Sequence, residues 1–146
     1  MHDLPRQLSE ARLAELFEGD TALVRKLAAR DDPLGSAREV IAGLTEEEKL
    51  EALNAHPAIG ARTGLSARSA AEQGADADEE TLAELARLNA DYERRFGFRF
   101  VVFVDRRPKA AILEVLRERI ERTRAQELDT AVEELVAIAE DRWNRS

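Results

Sequence analysis

"TLAELARLNADYERRFGFRFVVFVD", Thr81–Asp105, carries two different patterns on either side of one glycine. Leu82, Leu85, Asn89, Tyr92 and Phe96 recur at alternating steps of three and four, which lines one face of an α-helix. Gly97 can adopt the left-handed conformation that closes such a helix. From Phe98 to Asp105 the aromatic and β-branched residues lose that spacing, so the chain there reads as extended and buried. It has no evident strand partner. The expectation is one extended segment at about 98–105 and no substantial sheet.

Helix signals continue on both sides of this stretch. "SEARLAELFEG" sets Leu13, Leu16 and Phe17 ahead of Gly19, and "DTALVRKLAARDDP" sets Leu23, Val24 and Leu27 ahead of a stop at Pro33. "SARE" (Ser36–Glu39) and "TEEE" (Thr45–Glu48) both have capping-box form, in which a hydroxyl and a carboxylate three residues later satisfy free amides at a helix start. The helix opened by Thr45 buries Leu50 and Leu53. It should end near Asn54 or Ala55, because the residue before Pro57 is biased out of the helical region. "DADE" (Asp76–Glu79) caps the long helix, Pro108 opens another with Ile112, Val115, Leu116 and Ile120, and a last one runs from about Gln126 to Trp143. These elements predict an all-α fold, a single compact multi-helix domain spanning residues 1–146.

Composition narrows the function. A chain of 146 residues with 44% hydrophobic content suits one core. The charged residues, 36% of the chain, alternate in sign as on the solvent faces of helices. A net charge of -8 and a pI near 4.9 argue against nucleic acid, whose phosphates need a basic face. Without cysteine, and with only two histidines, thiolate zinc sites and histidine clusters are not expected. The default is a site with no metal and no cofactor. No apolar run is long enough for a signal peptide or a membrane span, so a cytoplasmic protein that does not bind membranes is expected.

Three constellations could carry chemistry. In "LNAHPAIGAR" (Leu53–Arg62), His56 stands at a helix end, either as a cap for free carbonyls or as the one internal group that titrates near neutral pH. In "SAAEQ", Ser69, Glu72 and Gln73 share a face if helical, and Ser69 could equally open a capping box. In the last helix Leu128, Ala131, Leu135 and Ile138 form an apolar stripe whose next step is Arg142. That arginine either snorkels in the last turn or anchors an anion with its fork of donors.

Taken in order, "LNAHPAIGAR", "SAAEQ" and "LNADYERRFGFRFVVFV" resemble the motifs of the 2-oxo-4-hydroxy-4-carboxy-5-ureidoimidazoline (OHCU) decarboxylases, which form (S)-allantoin at the end of the urate oxidation route. The likeness runs from about Leu13 to the C-terminus. It implies an all-helical homodimer without metal or organic cofactor, acting on a small anionic ureidoimidazoline. It further implies that His56 is catalytic, that Glu72 is its acidic partner, and that Ser69 and Gln73 contact substrate. "EDRW" matches the segment of the family's substrate-binding arginine, which makes Arg142 the carry-over. Pro57, Phe98, Phe100, Val101 and Val102 complete the expected substrate-binding set. The family commonly has proline between the phenylalanines of "FGFxF", where this chain has Arg99, at the site's edge or facing solvent. Two other classes share these features: a noncatalytic helical interaction protein on the same fold, and a lyase or hydrolase acting on a related ureido ring.

Overall fold

The computed structural model describes residues 8–56 and 79–145. Among these residues the chain forms seven α-helices and no strand. They are α1 (Glu10–Phe17), α2 (Ala22–Ala28), α3 (Ala37–Ala42), α4 (Glu46–Asn54), α5 (Glu79–Phe96), α6 (Lys109–Arg119) and α7 (Arg124–Arg145). None of them is long and apolar enough to cross a membrane. The fold is all-α, with residues 98–104 extended but unpaired into any sheet, as the spacing of "FRFVVFVD" predicts.

Local chemistry sets most boundaries. Ser9 and Thr21 cap α1 and α2 with their hydroxyls. At α4 the predicted capping box is complete: the Thr45 amide donates to Glu48 Oε1 at 3.0 Å and the Glu48 amide to Thr45 Oγ1 at 3.1 Å. The other predicted box fails. Ser36 precedes α3 but makes no side-chain cap, because its hydroxyl donates to the Asp32 carbonyl at 2.6 Å within the preceding turn. Helix α2 ends at Ala28, ahead of the stop at Pro33, in a tightened last turn where the Ala29 amide donates to the Lys26 carbonyl and the Arg30 amide to that of Leu27. Gly97 (φ 81) closes α5, its amide donating to the Glu93 carbonyl at 2.8 Å. The predicted cap at Asp76 lies outside the described residues. Helix α7 starts two residues before the expected Gln126, because Thr123 and Gln126 form a capping box of their own.

The last helix organises the core. It packs on α1, α3 and α4, while α5 pairs with α6 and α1 and α4 flank α2. Ala131, Leu135 and Ile138 are buried along its inner stripe and Leu128 is partly so. A second centre is aromatic: Tyr92 lies with ring centroids 4.6 Å from Phe96, 5.2 Å from Phe100 and 6.0 Å from Phe98. This cluster docks the extended segment onto α5.

The segment's backbone is tied down from α6 and α7. Arg119 Nη1 donates to the Val101 carbonyl at 2.9 Å, and the Phe103 amide donates to Glu134 at 3.3 Å. Arg119 is held in turn by Glu127, a carboxylate with no solvent exposure, through a 2.8 Å ion pair. The Tyr92 hydroxyl donates to the same carboxylate at 2.6 Å and Arg122 Nη1 reaches it at 3.0 Å. Burial, and then its bond to Glu127, hold the Tyr92 phenol above its ordinary range.

Candidate active site

His56 follows immediately on α4. Its amide donates to the Leu53 carbonyl at 3.3 Å, continuing the last turn, and its side chain packs inward with the residue only 6% exposed. The side chain thus lies in the core although the residue stands just past a helix end. The ring is buried, and its Nε2 meets no hydrogen-bond partner among the described residues. Buried polar atoms nearly always have partners, so such an orphan marks either strain or chemistry. Burial, then the nearby Arg142 guanidinium, push the imidazole down to about 4, with Arg99 adding to the shift and Glu18 opposing it. The ring is therefore neutral at pH 7.

Arg142 approaches from α7. It is 2% exposed, which settles its place on the apolar stripe: the head does not reach bulk water. Nη1 donates to the Leu16 carbonyl at 3.1 Å and Nη2 lies 3.1 Å from Glu18 Oε1. Both acceptors belong to the C-terminal end of α1, where free carbonyls and the negative end of the helix dipole favour a cation. Glu18 itself is left-handed (φ 65, ψ 20), so the turn expected at Gly19 falls one residue earlier.

Arg99 completes the frame from the extended segment. Its amide donates to Asn54 Oδ1 at 3.0 Å, its Nη1 donates to the Asn54 carbonyl at 3.4 Å and also to the His56 carbonyl, and its Nε pairs with Glu93 at 3.2 Å. The residue that departs from the family pattern is half-buried and bonded to main-chain carbonyls. It ties the end of α4 to the segment beside it.

The structure brings His56 and Arg142 together and ties His56 to the extended segment through Arg99, whereas Phe100 and Val101 meet Arg119. The Phe98 and Phe100 rings are 2% and 1% exposed and taken up by the aromatic cluster, so contact with a ligand would fall to the backbone there. Among the described residues, the amides of Val101 and Val102 donate to no protein acceptor. Pro57, Ser69, Glu72 and Gln73 lie outside the described residues. Sequence reasoning missed Glu18 and Asn54. "FEG" reads as a helix end at its glycine, and nothing local marks an ion pair with a residue on the last helix.

A family model described as OHCU decarboxylase matches residues 2–144. The 2-oxo-4-hydroxy-4-carboxy-5-ureidoimidazoline decarboxylase of Haloferax volcanii is 32% identical over 121 residues, covering 80% of this chain and 71% of that protein. The uric acid degradation bifunctional protein TTL of Arabidopsis thaliana is 36% identical over 100 residues, covering 62% of this chain and 31% of that longer one. A crystal structure of OHCU decarboxylase in the presence of (S)-allantoin matches with a TM-score of 0.70 at 28% identity, covering 82% of this chain and 86% of the other. A structure of (S)-allantoin synthase matches at 0.67 and 22% identity over 91% of this chain and 47% of that one, a likeness of fold.

Proposed function

The chain belongs to the OHCU decarboxylase family, and from that premise we propose that it decarboxylates OHCU to (S)-allantoin in urate breakdown, with His56 moving the proton. The observation that carries the assignment of His56 is its buried, neutral ring, whose Nε2 has no partner among the described residues, next to the Arg142 guanidinium.

The substrate needs little help. The carbon that bears the carboxylate also bears a hydroxyl and adjoins a ring C=N bond. When the bond to CO2 breaks, its electron pair makes the bond to the neighbouring carbon double, and the imine nitrogen accepts the displaced pair together with a proton from solvent. Loss of the hydroxyl proton makes the new carbonyl, and a proton delivered to one face of the neighbouring carbon sets the configuration. A neutral imidazole accepts the first proton and can return it, a role worth about 10²–10⁴-fold for a positioned acid or base.

In this reading Glu72 orients the imidazole, and Ser69, Gln73 and Pro57 line the substrate. Arg142 and the amides of Val101 and Val102 hold the carboxylate or ring oxygens as charge develops. No resident metal or cofactor enters the scheme. The family likeness is likewise the support for a cytoplasmic homodimer and for residues 1–146 acting as one decarboxylase domain. Sedimentation of the purified chain tests the dimer. The deciding experiment generates OHCU in situ and follows its decay together with the chirality of the product. Faster decay with a single allantoin enantiomer is expected. Decay at the spontaneous rate with racemic product would remove the assignment.

A further inference from the structure

Glu18 has an unusual backbone for its side chain. It carries the left-handed turn that ends α1, although Gly19 stands next to it and would adopt that conformation without strain. The left-handed region costs a residue with a Cβ on the order of 1–2 kcal/mol. As a helix cap the position asks only for the backbone, since the Glu18 amide donates to the Ala14 carbonyl. The carboxylate is turned elsewhere. With its side chain 12% exposed, Glu18 places Oε1 3.1 Å from Nη2 of Arg142. The Leu16 carbonyl, two residues earlier, takes Nη1 at 3.1 Å. Two contacts from one turn, on two different nitrogens, fix the plane of the guanidinium. Leu16 contributes a main-chain atom that any α1 would present; the second contact exists only because residue 18 is a glutamate.

We propose that Glu18 is a positioning residue of the decarboxylase site, holding the Arg142 guanidinium in the orientation that receives the anionic substrate beside His56. This role rests on the reading of His56 and Arg142 given above. Strained backbone held by its surroundings is characteristic of such sites. The electrostatics agree with the placement. Among the described residues, the charged groups that act on the imidazole are Arg142 from α7 and Arg99 from the extended segment, which lower its proton affinity, and Glu18 from the end of α1, which raises it.

The test compares Glu18→Asn with Glu18→Gln in the full chain. Asparagine tolerates the left-handed turn better than glutamate but is too short to reach Arg142, whereas glutamine keeps the length and the acceptor while losing the charge. Glu18→Asn should raise the KM for OHCU about tenfold, the worth of one charge-assisted hydrogen bond, with a smaller change in kcat. Glu18→Gln should restore KM to near the parental value, and it guards against a Glu18→Asn chain that fails to fold. In both variants the His56 ring, followed by NMR and told apart from His2 by its buried environment, should protonate at lower pH than in the parent. Parental KM and a parental His56 midpoint in a folded Glu18→Asn chain would reduce Glu18 to a helix cap and overturn the proposal. If the parent does not consume OHCU, the decarboxylase reading fails by itself. The ring titration needs no substrate and then decides Glu18: an unchanged midpoint in Glu18→Gln overturns the proposal, and a lowered one sustains the coupling.

Discussion

Two buried arginine–glutamate pairs stand at opposite ends of α7, and they differ in what surrounds them. Near its start, Glu127 is bonded by Arg119, Arg122 and the Tyr92 hydroxyl, and the Arg119 guanidinium also lies 4.6 Å from the Phe100 ring centroid. Near its end, Arg142 pairs with Glu18 beside an imidazole whose Nε2 has no partner among the described residues. The first pair has its carboxylate fully engaged and fastens an extended segment to the core. The second adjoins a buried imidazole. A buried ion pair alone is weak evidence of function, since structural networks use the same groups. Each end holds one buried nitrogen without a partner among the described residues, Arg119 Nη2 and His56 Nε2, and what distinguishes the second is that its orphan belongs to an imidazole, which can accept and return a proton.

The largest expected effect falls at the His56 end. His56→Asn should lower OHCU turnover about 10²–10⁴-fold, as expected for loss of a general acid or base, in a chain that still folds. A folded variant with parental turnover would place the chemistry elsewhere and erase the contrast. The next falls at the Glu127 end. Glu127→Ala strands Arg119 and the Tyr92 hydroxyl in the core and should cost about 3–5 kcal/mol of stability, read from chemical denaturation. A loss below about 1 kcal/mol would mean that the network contributes no more than an exposed pair.

A third expectation concerns pH. The folded His56 midpoint, about 4, lies below its ordinary value of 6.5, so between those values the unfolded chain binds the extra proton. The contribution of His56 to stability is therefore complete above pH 6.5 and is lost as pH falls toward 4. The difference in stability between parent and His56→Asn should accordingly shrink or reverse by about 3 kcal/mol from pH 7 to pH 4. A difference independent of pH would show that the ring is solvated.

The smallest effect belongs to a cation between these extremes. Arg99 is a third exposed in its side chain and bonds main-chain carbonyls at the end of α4. Arg99→Met should cost about 1 kcal/mol, the net worth of a hydrogen bond, and should raise the His56 midpoint by removing a nearby positive charge. A lowered midpoint would show that the segment had moved instead.

What the sequence could disclose follows the range of the interactions involved. The Thr45 box and the Gly97 closure depend on neighbours within four residues, and both appear where the pattern puts them. The segment after Gly97 shows its lack of helical spacing in the sequence, but the groups that hold it, Arg119 and Glu134, are distant, and it stops at Val104 because Asp105 turns with φ 48. Ser36 shows the limit of the same rule, because Asp32 offered its hydroxyl a closer acceptor than the cap. "TRAQ" at Thr123–Gln126 holds a box two residues ahead of the apolar stripe's first member, Leu128. At the site, the burial of Arg142 was foreshadowed by its place in that stripe. Its partner Glu18 was not, because an ion pair between the first helix and the last has no local spacing to betray it.

Helix α7 also acts as a ruler. Glu127 and Arg142 lie on one unbroken helix, fifteen residues apart, which at 1.5 Å per residue is about 22 Å. At about 100° per residue the two side chains project only about 60° apart, so both face inward. Inserting one residue between them would swing one end about 100° out of phase with the other and turn either Glu127 or Arg142 away from its partners. Homologous chains can change length in their loops, but between these two positions the helix is dimensionally fixed, and indels there should be the least tolerated in the domain.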